Sequence, residues 1–212
     1  MNMFGAMKKM FRCFSFLLLT AGPCFSQNAD INLLRQINPV DPGASFFWKT
    51  TTNSAYPVTV CVQGGLMAYD YFHSDSTRGR ILPHIAEKLV VVVMTEGIKL
   101  AINRTRPYIK YPGLVHPYDG SETGRSLPSA HTSLAFNTAA TLDLRFHKWY
   151  ISVPAYLWAG AVGYSRLYMG EHYPTDVLAG AVVGIGSAYL VRWLDRAVFK
   201  PRSKELRHIS LP

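Results

Sequence analysis

Three short segments of this 212-residue chain carry side chains that a hydrophobic core has no use for. They are Lys99-(six residues)-Arg106-Pro107, Pro128-Ser129-Ala130-His131, and Ser165-Arg166-(five residues)-His172-(three residues)-Asp176. Together they supply three cations, two imidazoles, a hydroxyl and a carboxylate, and each set sits at the end of an apolar stretch. That inventory suits a tetrahedral oxyanion with a nucleophile on one side and a proton donor on the other.

The spacings have physical consequences. Lys99 and Arg106 are about two helical turns apart, and Pro107 disfavours helical geometry in the residue before it. Both cations can therefore project from one face, at and just beyond a helix end, although two cations there could equally complement the macrodipole. Ser129 is a natural N-cap, and the free N–H groups of a helix start cradle anions. His131 falls in that first turn; a capped helix with an incidental histidine is the plainer alternative. Pro174 lets the chain enter a helix with Asp176 in its first turn, four residues after His172. A carboxylate there can fix the imidazole tautomer and leave the other nitrogen the better nucleophile, or it can simply cap the helix. Arg166 brings a planar bidentate donor for phosphate oxygens. Glu96, Arg104, Lys110, His116, Arg125 and Glu171 lie near these motifs, where solvated or capping roles are the simpler reading.

Five apolar-periodic segments position the three sets: about 52–72, 82–103, 129–146, 150–168 and 174–198. Strand alternation is absent, so the expected fold is all-α, a helical bundle of about five core helices plus a short N-terminal helix around Ile31, Leu33, Leu34 and Ile37. The 104–127 stretch, rich in Pro, Gly and Tyr, is too long for an ordinary connection and reads as an active-site loop. By helix parity all three motifs emerge at one end of the bundle.

The bulk properties agree with a membrane setting. Hydrophobic residues make up 49% and charged residues only 17%, yet a mean hydropathy of +0.07 is low for a chain embedded wholly in lipid. The net charge of +9 is scattered, with no basic tract and no nucleic-acid motif, so nucleic-acid partners are not expected. Residues 1–26 read as a signal peptide or N-terminal anchor: Lys8, Lys9 and Arg12 precede the apolar run 14–19, and a cut before Gln27 has small residues in place. Cleavage would leave Cys61 alone, which excludes an internal disulfide. The domain then spans 27–200, followed by a basic tail, 201–212. Arg78 and Arg80, Arg145 and Lys148, and the basic residues from Arg192 onward all fall at the end opposite the motifs. The positive-inside rule assigns that end to the cytoplasm and the motifs to the periplasmic face. The third segment, with His131, Asn137 and Asp143, is poor material for a lipid-facing helix and calls for shielding inside a bundle.

The trio K-x6-R-P, P-S-x-H and S-R-x5-H-x3-D resembles the type 2 phosphatidic acid phosphatase and vanadium haloperoxidase superfamily, over roughly Leu82 to Leu194. The stretch from His172 to Gly180 looks more like its lipid phosphatases than its soluble acid phosphatases. The resemblance implies that His172 attacks phosphorus to give a phosphohistidine, with Asp176 orienting it. It implies that Lys99, Arg106, Arg166, Ser129 and backbone N–H groups such as that of Ala130 hold the non-bridging oxygens. His131 would protonate the leaving oxygen and then activate water, with no metal or other cofactor required. One departure is Ala130, where the family pattern has glycine; an added methyl is expected to tune the site rather than abolish it. The implied substrate is a phosphomonoester or pyrophosphate on a membrane lipid, of the lipid A, undecaprenyl pyrophosphate or phosphatidylglycerophosphate type, with no obligate protein partner. A soluble periplasmic acid phosphatase of broad specificity and a non-catalytic phosphate-binding scaffold are the competing readings.

Overall fold

The computed structural model describes residues 23–73, 77–120 and 124–198. The segment before Pro23, which holds the apolar run of the expected signal, and the basic tail from residue 201 lie outside the described residues. Among the described residues there are helices and no strands. An N-terminal helix α1 (Pro23–Ile37) and a short α2 (Phe46–Asn53) precede four of the bundle's elements: α3 (Ala55–His73), α4 (Thr77–Ile102), a one-turn α5 (Pro107–Lys110) and α6 (Ala130–Phe146). Helices α7 (Trp149–Tyr168) and α8 (Pro174–Val198) complete it. The five long helices, α3, α4, α6, α7 and α8, coincide with the five apolar-periodic segments. Helix α1 contains the position of the expected cut before Gln27, and α2 is an addition that sequence periodicity did not announce.

Helix α6 is the axis, packed against α3, α4, α7 and α8. Its sequence explains the position: Thr132, Ser133, Ala135, Asn137, Thr138, Ala139 and Ala140 are all buried, and small side chains let neighbouring backbones close in. The approach to α8 is closest at Gly184, where a Cβ would lie 2.3 Å from the Ser133 carbonyl oxygen and 2.8 Å from the Asn137 nitrogen. The polar residues that unfit α6 for lipid are satisfied within the bundle. Asn137 donates to Ser187 Oγ (3.0 Å) and accepts from Lys88 Nζ (2.7 Å), and Thr59 and Thr138 share a hydrogen bond of 3.1 Å. The shielding expected of the third segment is what the fold provides.

Apolar side chains instead face outward on the surrounding helices, among them Val60 and Phe72 on α3, Leu89 and Val93 on α4, Leu157 on α7 and Leu178 on α8. The bundle helices are about 26 to 39 Å long, from 17 and 26 residues at 1.5 Å each. Among the described residues one stretch, Pro174–Ala197, is long and apolar enough by itself to cross a membrane, with a mean hydropathy of 1.6.

Candidate active site

The loop between α4 and α6 is built to hold its cations. Helix α4 stops at Ile102 because Asn103 turns left-handed (φ 51°), a C-terminal stop that asparagine tolerates well. Lys99 thus lies in the last turn of α4 and Arg106 just beyond its end, as the spacing and Pro107 implied; Arg106 sits in extended conformation as the N-cap of α5, with Pro107 as its first residue. The Ser126 backbone N–H (2.9 Å) and hydroxyl (3.2 Å) both donate to the Arg104 carbonyl, so the two ends of the excursion meet. Asn38, just beyond α1, staples the loop to the end of α7. Its amide donates to the carbonyls of His116 and Tyr168 (2.9 Å each), and its Oδ1 accepts from the His116 N–H (2.7 Å).

Between α7 and α8, Gly170 (φ +68°) makes the turn that presents Glu171 and His172 to this loop. A side chain there would meet the His116 carbonyl oxygen at 2.5 Å. His172, only 1% exposed, donates from Nδ1 to the Ser126 carbonyl oxygen (2.8 Å). A carbonyl can only accept, so Nδ1 carries the proton and Nε2 carries the lone pair. That lone pair lies 3.4 Å from Arg106 Nη1, whose guanidinium also donates to the Glu171 carbonyl (3.1 Å) and the Gly124 carbonyl (3.1 Å). Burial foremost, helped by the Arg166 and Arg106 cations and opposed by Asp176, pulls the His172 pKa down to about 4. The ring is neutral at ordinary pH.

Asp176 occupies the predicted first turn of α8, but its closest approach to His172 Nδ1 is 3.6 Å. The Ser126 carbonyl, which the sequence motifs did not flag, is the nearer tautomer-fixing partner. Asp176 also does what the plainer alternative supposed. Its Oδ2 accepts from the Tyr173 backbone N–H (2.9 Å), the return half of a capping box.

The remaining predicted residues converge on the same end. Arg166, 4% exposed, donates to Thr52 Oγ1 of α2 (2.9 Å). His131, in the first turn of α6, stands edge-on to Tyr56 of α3 with ring centroids 4.7 Å apart. It is close enough to Arg166, His172, Arg106 and Lys99 for each to act on its charge. Lys99 pairs with Glu96 across one helical turn (3.1 Å). Ser129 is the N-cap of α6 by position, yet its side chain makes no capping bond. Its N–H is taken by the Asp176 carbonyl (3.1 Å), and its Oγ accepts from Thr132 (3.0 Å), which leaves its own O–H proton to donate to an anion. Ala130 is the first helical residue with an ordinary negative φ, so the methyl in place of the family's glycine brings no backbone strain.

Two residues given a solvated or capping role on sequence are drawn into the site, Arg104 half-buried and Glu171 buried. Arg104 bridges Asp176 and Asp30, and Glu171, 2% exposed, lies 3.4 Å from Arg106. Glu96, Lys110 and Arg125 are exposed as expected. Asp30 was missed, though a signal existed: it shares the face of Leu34 and Ile37 on α1. Thr52 and Tyr56 had none, because α2 and the start of α3 carry no motif.

Residues 82–200, more than half of the chain, match the PAP2 superfamily. The chain belongs to that superfamily. It is 32% identical over 132 residues to the "Bacitracin transport permease protein BcrC" of Bacillus licheniformis, covering 61% of this chain and 62% of that protein. It is 29% identical over 188 residues to the "Lipid A 1-phosphatase" of Porphyromonas gingivalis, covering 87% of this chain and 39% of that protein. The chain thus spans between roughly a quarter and three fifths of the length of curated relatives that it matches. Its fold is that of the crystal structure of a transmembrane PAP2 type phosphatidylglycerolphosphate phosphatase from Bacillus subtilis, with a TM-score of 0.66 and 24% identity, covering 92% of this chain and 98% of that one.

Proposed function

We propose that this chain is a membrane-embedded phosphatase that hydrolyses a phosphomonoester or pyrophosphate carried by a lipid, through a phosphohistidine. The observation that carries the reading is the unprotonated Nε2 of a neutral, buried His172 set 3.4 Å from a guanidinium. A nucleophile facing a cation is arranged to receive an anion and attack it in line.

In the first step the Nε2 lone pair attacks phosphorus. The bond to the leaving oxygen breaks as that oxygen takes a proton from His131. Arg106, Arg166 and Lys99 hold the non-bridging oxygens, aided by the Ser129 hydroxyl and the first N–H groups of α6, including that of Ala130. Fixed donors of this kind stabilise developing charge without reorganising. In the second step water attacks the phosphohistidine, losing a proton to His131, and Nε2 leaves with its lone pair restored. Asp176 supports the imidazolium character that His172 gains on phosphorylation.

Relatives named for lipid A 1-phosphatase, undecaprenyl-diphosphatase and phosphatidylglycerophosphatase B activity favour a lipid substrate. The outward apolar faces of α3, α4, α7 and α8 favour a bilayer setting. The basic residues at the far end, among them Arg145 and Lys148, favour a cytoplasmic assignment for that end and a periplasmic one for the site. The test is orthophosphate release by the purified full chain in detergent from three substrates: a lipid A phosphomonoester, undecaprenyl pyrophosphate and phosphatidylglycerophosphate. Release from at least one, with an acid-labile phosphoenzyme that His172→Ala abolishes, is expected. Release from none of them, or undiminished release by the variant, would overturn the reading.

A further inference from the structure

Behind His172 a chain of charge runs from Asp176 of the third motif through Arg104 to Asp30, and neither Arg104 nor Asp30 is one of the motif residues. Asp30 of α1, 4% exposed, accepts from Arg104 Nη2 at 2.8 Å. Arg104 Nη1 donates to Asp176 Oδ1 (2.6 Å) and to Thr175 Oγ1 (2.6 Å), and the guanidinium carbon lies over the Tyr173 ring, 3.9 Å from its centroid. Asp30 Oδ1 also accepts from the Thr175 backbone N–H (3.2 Å). One planar fork thus joins two carboxylates from elements far apart in sequence, and the second carboxylate is the one beside the nucleophilic ring.

We infer that Arg104 and Asp30 are positioning residues for the reaction, dividing the charge of Asp176 between itself and α1 so that His172 stays neutral yet oriented. The inference rests on the hydrolase reading above. Its physical content is a tug on one carboxylate. Arg104 draws negative charge in Asp176 away from His172, and Asp30 limits how far it does so by occupying the other half of the fork. The remaining charged groups that bear on His172 are Arg106 and Glu171 in the loops, Arg166 at the end of α7 and His131 at the start of α6. None of them is altered by the substitutions at Arg104 or Asp30. Lysine cannot substitute fully for Arg104, because a single ammonium cannot present two parallel donors to two carboxylates.

The two residues must then act in opposite directions on the same titration. With Arg104→Gln, Asp176 acts undivided on His172 and a nearby cation is lost, so imidazolium becomes easier to form. The acid limb of kcat/KM moves up by about one pH unit. With Asp30→Asn, a nearby negative charge is lost and Arg104 pulls harder on Asp176, so the limb moves down. Each variant lowers kcat by about tenfold to a hundredfold, the range typical when a partner orienting a site residue is removed, with KM nearly unchanged. Arg104→Lys restores the limb towards its wild-type position while recovering only part of kcat.

The experiment measures orthophosphate release from a phosphorylated lipid in detergent micelles across pH, for the full-length wild type and the three variants. Thermal melting in the same detergent corrects each rate for folded protein. Opposite displacements of the acid limb support the assignment. Limbs that stay at the wild-type position, or move together, while wild type is active and His172→Ala is dead, overturn it and leave a purely structural ion pair. A folded wild type that releases no orthophosphate would overturn the hydrolase reading and the positioning role with it.

Discussion

The two ends of the bundle use the same residue types to opposite effect. At the end away from the site, His84 Nε2 lies 2.9 Å from Asp70 Oδ2, and Asp70 Oδ1 is taken by Arg145. Histidine, carboxylate and arginine close on one another there and tie α3, α4 and α6 together. At the site end, His172 spends its proton on a backbone carbonyl, its carboxylate is diverted to Arg104, and its lone pair is turned towards Arg106. On the proposed reading, what separates the two ends is that Arg106, besides its bonds to Glu171 and Gly124, presents a donor to the lone pair of His172, whereas the far cluster closes on itself.

The comparison breaks most sharply at the histidines. His172→Ala should reduce orthophosphate release by at least about ten-thousandfold, the scale on which loss of a nucleophile or its base is felt. Asp70→Asn should leave the rate per folded molecule within about threefold while destabilising the bundle by about 3 kcal/mol, the cost of breaking a buried pair. A melting curve in detergent beside a rate assay separates the two, and a catalytic defect in Asp70→Asn would erase the distinction between the ends.

Next in size is the geometry of the cation. Arg106→Lys keeps the charge but gives up the fork that reaches Glu171, Gly124 and the lone pair of His172. Its kcat/KM should fall by about a hundredfold, equivalent to about 2.7 kcal/mol of transition-state stabilisation. The pH profile sharpens the same point. The folded pKa of His172 is lowered from 6.5 to about 4, so the nucleophile is neutral above that value. Protonation below it removes the lone pair, so kcat/KM should be level with respect to this group above about pH 5 and fall tenfold per unit below about 4. A limb near 6.5 would mean that the ring is far better solvated than its burial indicates. The smallest effect belongs to Ala130→Gly. Position 130 is an ordinary helical residue, so initial rates should change by less than about threefold while the helix start loses about 1 kcal/mol.

Most of the candidate site was legible because it is local. Lys99, Ser129, His131, Arg166, His172 and Asp176 sit at helix ends, where proline, serine and spacing mark the boundaries, and parity alone brings those ends together. The five long helices were readable for the same reason, since an apolar face repeats along each. What escaped was contributed across the fold. Thr52 on Arg166, Tyr56 on His131 and Asp30 on Arg104 come from segments with no motif of their own. The Ser126 carbonyl that sets the His172 tautomer is backbone, and a carbonyl has no signature in a sequence.

By itself, the sequence determined the inventory and the elements: which groups can hold an oxyanion, which can donate or accept a proton, and which helix end each one occupies. Covalent neighbours and helical period are enough for that, because both act over a few residues. Only the tertiary structure decided how the charges are shared. Whether Asp176 serves His172, caps α8 or answers to Arg104 depends on distances of 2.6 to 3.6 Å between residues up to 72 apart in the chain. Electrostatic balance at that range is fixed by packing, and packing is a property of the assembled bundle.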